Sequence, residues 1–378
     1  MPVEYNRAHP DIHQPWAEWS EESTLHLILA YNNPFRWQSR RKLANDAIRH
    51  HLKSPNVKLY VIELAYDQRP FEVTAEWTEH DNLKCIQLRS DCELWHKENL
   101  INLAVRAFPP GWRYGGYWDA DFTCTRHDWA LEAIHMLQHA QFVQLFNTYV
   151  DLTGETSTSY NGHRPYRMNR SFAWNYVHQE EFRAEREDKL RRRQLQQADT
   201  HYGIQMPIGA EFPWGLAPGA TGGGWAWRRQ AFTTVGGWPE RCVLGSGDWH
   251  SAFGFINQFG LNVGDEQSHC TPEYIRYVET WIKNAQRLNG HPGKSMIAAI
   301  DNFAVHHFHG SKTNRAYGER WQILKRNKFD PFTDLVPDWQ GVLRWAGNKP
   351  QLRDEVKRYF LNRNEDDTTV GASERPLI

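Results

Sequence analysis

This sequence predicts an α/β fold, a mostly parallel sheet with flanking helices, on three observations. Short apolar runs alternate with helical patterns through the first 150 residues, as strand–helix–strand units do. An acidic pair, Asp119 and Asp121, follows directly on one of the apolar runs, and open α/β sheets gather ligand groups outside the carboxyl ends of their strands. A glycine- and tryptophan-rich stretch from Pro213 to Asp248 breaks the alternation and marks a second half. At 378 residues, and about 150 residues per domain, the expected division is an extension at 1–22 and a ligand-binding α/β half at 23–150. A second half then runs over 151–335 with a charged helical insertion at 171–200, followed by a helical tail at 336–378 whose end is disordered.

The first strand is expected over 24–31, an apolar run, with Asn33 and Pro34 supplying a cap and first-turn proline for a helix through about His51. A second strand over 57–65 and a third near 84–88 follow. From Leu94, the positions Leu100, Leu103, Ala104 and Ala107 recur at helical spacing, and Pro109, Pro110 and Gly111 end the segment. Tyr114–Trp118 reads as a strand running into Asp119, Asp128 as the cap of another helix, and Gln141–Phe146 as a return to strand. The run of mixed charge from Glu180 to Arg193 fits either a solvated helix held by i,i+4 pairs or an acceptor-binding arm. Beyond Asn362 the chain is polar, lacks periodicity and is expected to be disordered.

Lys and Arg number 44 against 45 Asp and Glu, a net charge of −1, which removes the basic excess that marks most nucleic-acid binders. The five cysteines form no C-x-x-C pair and are odd in number, so neither a disulfide framework nor a zinc knuckle is indicated. The first twenty residues lack the charged start and apolar stretch of a secretory signal, and no run approaches the roughly 18 apolar residues of a membrane span. A cytoplasmic location is the expectation. Eighteen Trp, 15 Tyr and 18 Phe suit either a handler of sugars or nucleotides, or an aromatic core.

Two carboxylates at i and i+2 after a buried strand can hold a hard divalent cation and leave positions open for phosphate oxygens. His306 and His309 stand three apart in the run His306–Gly310, a spacing that brings both to one side of a turn; an imidazole beside a carboxylate suits manganese better than magnesium. The order of expectation is His309, His306, then His307. Asp248, behind Gly245, Ser246 and Gly247, is placed as a helix N-cap after glycine. Lys312, Arg315 and Arg320 follow the histidines and can clamp phosphate oxygens or form a charged helix face.

Four segments occur in order: Trp95–Asn102 (WHKENLIN), then Asp119–Asp121, then Gly223–Phe232 leading through Gly236–Pro239 to Gly245–Asp248, and last His306–Gly310. Together they resemble the GT-A fold glycosyltransferases of the family 2 and galactosyltransferase-like type, of a bacterial or bacteriophage kind. The likeness spans about 24–330. It departs from the fuller pattern at Gly245–His250, which lacks a flanking acidic run, so an acceptor contact from Trp249 or His250 is open.

The resemblance implies a GT-A, Rossmann-like sheet and a metal-dependent, inverting transfer of sugar from a nucleotide-sugar, with a uridine-diphosphate sugar as the donor class. It gives Asp121 the role of direct ligand to Mn2+ (or Mg2+), with Asp119 a second ligand nearer the ribose, His309 and His306 as metal ligands, and Asp248 as base. Lys97 and Asn102 then face the nucleotide, Tyr31 and Glu63 the base and ribose, and Lys312 and Arg315 the diphosphate. Trp225 and Trp227 wall the sugar or acceptor, or fill the core. The acceptor is a hydroxymethylated base in phage DNA or a glycan, and a phage-encoded enzyme would work in the host cytoplasm. The rival readings are a catalytically silent nucleotide-sugar or carbohydrate-binding module of the same fold, and a nucleotidyltransferase, which leaves the Gly223–Asp248 series unexplained.

Overall fold

β1 (Leu25–Asn32) and β2 (Val57–Tyr66) are apolar along almost their whole length because both faces of their sheet are covered. They pair in parallel, Leu25 opposite Val57. A computed structural model describes residues 23–153, 165–179, 219–259, 270–290, 293–316 and 320–368. In it α1 (Gln38–His51) crosses from β1 to β2, β3 (Leu83–Ser90) adds at the edge, and α2 (Lys97–Val105) leads to β4 (Tyr114–Trp118). β5 (Phe122–Cys124), α3 (Trp129–Met136), β6 (Ala140–Gln144), β7 (Thr148–Leu152), β8 (Pro165–Arg170) and α4 (Phe172–Val177) complete the first part of the chain. After it come β9 (Gly224–Arg228), α5 (Arg229–Val235), α6 (Gly247–Phe255), α7 (Pro272–Gln286), β10 (Ser295–Ala299), β11 (Phe303–His306) and α8 (Arg320–Arg326). β12 (Leu335–Pro337), β13 (Leu343–Trp345) and α9 (Pro350–Asn362) end the described fold.

The main sheet has the order β10-β6-β9-β4-β1-β2-β3. β9 is antiparallel to both its neighbours while the other pairs are parallel, which is the mostly parallel α/β architecture expected. A second sheet, β5-β11-β7-β8, stands beside it; the sequence reading did not anticipate this sheet, whose strands are short and interrupted. α1 begins at Gln38, later than expected, because Asn33 Oδ1 accepts from Trp37 N at 3.0 Å and closes a turn instead of capping a helix. Asp128 does stand before α3, but its carboxylate is taken by Arg126. Of the expected insertion at 171–200, α4 is a short helix capped by Ser171 Oγ, and 180–200 lies outside the described residues, as does the extension at 1–22. No helix among the described residues is long and apolar enough to cross a membrane.

The sequence Tyr114–Trp118 (YGGYW) makes sense against β9. Gly115 stands opposite Trp227 and Trp118 opposite Gly224, so each indole lies over a glycine on the partner strand. A β-carbon on Gly115 would approach Trp227 Nε1 to 2.7 Å, and one on Gly224 would approach the Trp118 ring to 2.7 Å. Trp227, over Gly115, and Trp225, opposite Tyr117, are both wholly buried, Trp225 Nε1 donating to Thr221 O. They are core and do not wall a ligand, which corrects one of the two readings left open above. Truncating Trp227 to Ala should cost about 3–5 kcal/mol in urea unfolding, with ligand affinity retained in the folded fraction; an unchanged unfolding midpoint would contradict the placement.

Candidate active site

A cavity of about 250 Å³ opens beside the carboxyl ends of β1 and β4, lined by Tyr31, Asp119, Asp121, Asp248, His306 and His309 among others. Its geometry begins with the turn after β4. Asp119 N donates to Gly223 O at 2.7 Å and Phe122 N to Asp119 O at 3.0 Å, so the acidic pair sits on a tight bend. β5 then pairs antiparallel with β11, placing Phe122 opposite His306, and His307 N donates to Asp121 O. The Phe122 and His306 rings stack with centroids 4.7 Å apart. Strand pairing therefore carries the histidine segment to the second aspartate.

Asp121, His306 and His309 converge, one ligand atom from each lying within 4.8 Å of the others. Asp121 Oδ2 is 2.7 Å from His309 Nε2 and 3.7 Å from His306 Nε2, while Asp121 Oδ1 is buried without a hydrogen-bond partner among the described residues. Burial alone would raise the Asp121 pKa, but the imidazoles of His309 and His306 outweigh it and hold the carboxyl well below the usual range. His309 Nε2 is also 2.9 Å from Arg315 Nη2. A guanidinium can only donate and a carboxylate only accept, so one ring nitrogen cannot satisfy both neighbours at once. Two imidazole nitrogens and a carboxylate with a spare oxygen suit a first-row transition-metal dication, Fe2+, Co2+ and Zn2+ most and Mn2+ less so, better than Mg2+. His307 is turned away, its Nε2 2.9 Å from Thr123 Oγ1.

Asp119 stands apart from this group. Its Oδ1 is 2.6 Å from Lys97 Nζ and its Oδ2 accepts from Gly223 N at 3.2 Å, which corrects its expected role as a metal ligand. Lys97 also lies over the Tyr117 ring, 4.8 Å from its centroid. Burial would depress the Lys97 pKa, but the Asp119 charge raises it well above the ordinary value. Asp248 is in the first turn of α6, entered through Ser246 at φ 75°. Arg320 pins that entry by donating to Leu244 O at 3.0 Å and to Ser246 Oγ. A β-carbon on Gly222 would come within 2.4 Å of Asp248 Oδ2 and 3.7 Å of Asp119 Oδ2, so both carboxylates flank the same bare stretch of backbone.

Tyr31, Lys312 and Arg315 line the cavity. The Tyr31 hydroxyl donates to Glu72 Oε2 at 2.9 Å, and Lys312 Nζ is 2.7 Å from Asp151 Oδ2. Two expectations fail. Glu63 is buried and accepts from the backbone N–H of Glu72, Val73 and Thr74 and from the Thr74 hydroxyl; it fixes that loop and does not reach the cavity. Asn102 exchanges hydrogen bonds with Trp238, donating to its carbonyl and accepting from its N–H, and bonds to Glu240, so it holds the Gly236–Pro239 turn. His250 is likewise buried, its Nε2 3.1 Å from Tyr274 Oη, whereas Trp249 faces the cavity.

Three residues that the sequence did not single out complete the site. Asp151 and Glu365 each contact one of the converging imidazoles, at 2.6 and 3.0 Å. Asp151, within a buried strand, left a weak signal, an acidic residue in an apolar run; Glu365, in the polar tail, left none. The third is Glu98, on α2, whose side chain fills the space that any β-carbon on Gly247 would need. Burial and the nearby Asp248 charge, against the pull of Lys97, raise its pKa to about 8.

No family model matches the chain and no curated protein matches it. Solved structures similar to it include the mannosyltransferase PcManGT from Pyrobaculum calidifontis in complex with GDP-Man and Mn2+, at 15% identity over 96% of this chain and 79% of that one, TM-score 0.39. Another is 4-diphosphocytidyl-2C-methyl-D-erythritol synthase from Anaerococcus prevotii, at 6% identity over 75% of this chain and 88% of that one, TM-score 0.31. Neither likeness is close enough to hand residues or activity to this chain.

The buried Glu98 generates a test. The folded chain holds its proton up to about pH 8 while the unfolded chain releases it near the ordinary 4.5, so folding is progressively weakened as pH rises through that window. Relative to Glu98→Gln, the wild type should lose on the order of a few kcal/mol between pH about 4 and pH about 9. Parallel urea-unfolding free energies for the two proteins across that range would contradict the assignment.

Proposed function

We propose that this protein is a metal-dependent, inverting glycosyltransferase that moves a sugar from a nucleotide-sugar, of the uridine-diphosphate class, to an acceptor hydroxyl. The observation that carries the reading is the convergence of Asp121, His306 and His309 at a cavity that also holds Asp248. Asp121, His306 and His309 would hold the divalent cation, which when bound supplies positive charge against the departing diphosphate. The unpartnered Asp121 Oδ1 and the conflicting demands on His309 Nε2 support that fit.

The remaining work falls to the chain's own groups. Lys312 and Arg315, on the cavity wall, supply donors for phosphate oxygens. Lys97, paired with Asp119, sets the charge where the donor's ribose and sugar lie. Asp248 accepts the proton of the acceptor hydroxyl as that oxygen bonds to the anomeric carbon and the bond to the diphosphate breaks, a single displacement with inversion. Trp249, beside it on the cavity wall, offers a ring face to the acceptor. The acceptor is a glycan or a hydroxymethylated base in DNA, and 23–150 and 151–335 serve as donor and acceptor halves.

Incubation with Mn2+ and a panel of nucleotide-sugars, followed by diphosphate release and transfer to oligosaccharides or to 5-hydroxymethylcytosine DNA, tests the reading. Donor binding without release or transfer for every pair would favour a silent binding module. Asp248→Asn should keep donor affinity while transfer falls by roughly 10²–10⁴. Asp121→Asn should abolish the metal dependence of donor binding; a dependence that survives intact would reject the metal assignment.

A further inference from the structure

We propose that Asp151 and Glu365 are positioning residues for the cation site, and that the strap after α9 is a built part of that site. The assignment rests on reading Asp121, His306 and His309 as metal ligands. His306 Nδ1 lies 2.6 Å from Asp151 Oδ1, and His309 Nδ1 lies 3.0 Å from Glu365 Oε2. Both carboxylate side chains are only 1% exposed. A carboxylate ionised beside cations only accepts, and each of these has such cations. Lys312 and Arg167 stand 2.7 Å from Asp151, and Arg40 and Arg363 stand 2.8 Å from Glu365. Each Nδ1 therefore carries a proton, leaving the Nε2 that faces Asp121 as the metal-directed nitrogen. The same device occurs twice, from residues on different elements.

Glu365 belongs to a segment of polar composition that nonetheless has a fixed place. Asp366 accepts from Gln38 N and Ser39 N at the start of α1, and Ser39 Oγ donates to Glu365 O at 2.7 Å. Asp367 accepts from Asn314 Nδ2 at 3.1 Å. Gly310, next to His309, adopts φ 82°, and a β-carbon there would lie 2.8 Å from Glu365 Cα. The glycine thus admits the strap against the histidine loop, and the strap brings its carboxylate to the ring. Residues 363–368, expected to be disordered from composition, are anchored on the site; 369–378 lie outside the described residues.

The test measures metal binding by the full chain directly. Mn2+ is titrated into metal-free protein, with free Mn2+ read by electron paramagnetic resonance, for wild type, Asp151→Asn, Glu365→Gln and Glu365→Asp. Asp151→Asn and Glu365→Gln should each weaken Mn2+ binding by about 10- to 100-fold. Glu365→Asp, which keeps the charge that Arg40 and Arg363 require, should recover part of the loss and serves if Glu365→Gln fails to fold. With Co2+ in place of Mn2+, the visible absorption band of the folded variants should shift, because ligand basicity changes when the Nδ1 partner loses its charge. Folded variants with wild-type Mn2+ affinity and an unchanged Co2+ spectrum overturn the assignment alone. A wild type that takes up no Mn2+ overturns it together with the metal reading.

Discussion

The antiparallel pairing of β5 with β11 is the contact on which the site depends. It joins a strand of three residues to one of four, and nothing in either segment would form a stable sheet alone. The pair is held because β11 also runs parallel to β7, because Phe122 stacks on His306, and because Phe122 packs among the buried rings of Phe146 and Tyr149. The register fixes the chemistry. With Phe122 opposite His306, Asp121 falls beside the end of β11, and a slip by one residue would put His307 on the site face and His306 behind it.

A cleft that buries so many charges is costly unless each has a partner. Here the cations and carboxylates are matched in place: Lys97 with Asp119, Lys312 and Arg167 with Asp151, Arg40 and Arg363 with Glu365. Burial opposes ionisation at Asp151 and Glu365, but Lys312 and His306 at the first, and Arg40, Arg363 and His309 at the second, hold both well below the ordinary carboxyl range. These pairs are preorganised before any ligand arrives. A charged ligand entering the cleft would meet fixed charges and dipoles and would not have to order them.

The parallel half of the sheet was legible because buried strands of five to ten residues write continuous apolar runs. That the aspartates at 119, 121 and 248 and the histidines at 306 and 309 line one cavity was legible because clustered acidic and imidazole side chains at short spacing stand out by residue type. What escaped was of two kinds. Glu63 and Asn102 are polar residues at the places where a ligand group would stand, and only the fold shows that backbone N–H groups and a turn consume them. Glu365 lies 56 residues from His309, in a segment whose composition signals disorder; long-range partners leave no local periodicity to read. The tryptophans at 225 and 227 belong with the first kind, since a buried core indole, such as Trp227 over Gly115, looks in sequence like one over a sugar.

The bend after β4 also explains why the acidic pair divides its labour. Residues at i and i+2 on a tight turn diverge: Asp119 is drawn to Lys97 and Gly223 N, and Asp121 to the end of β11. The first carboxylate is neutralised by an ammonium at 2.6 Å, so a cation bound among Asp121, His306 and His309 would be faced by one free carboxylate and two imidazoles. A hard ion such as Mg2+ binds through several oxygens and keeps its water reluctantly exchanged; it gains little from two nitrogens. A borderline ion gains from both. Lys97, through its pair with Asp119, therefore leaves Asp121 as the carboxylate grouped with the two Nε2 atoms.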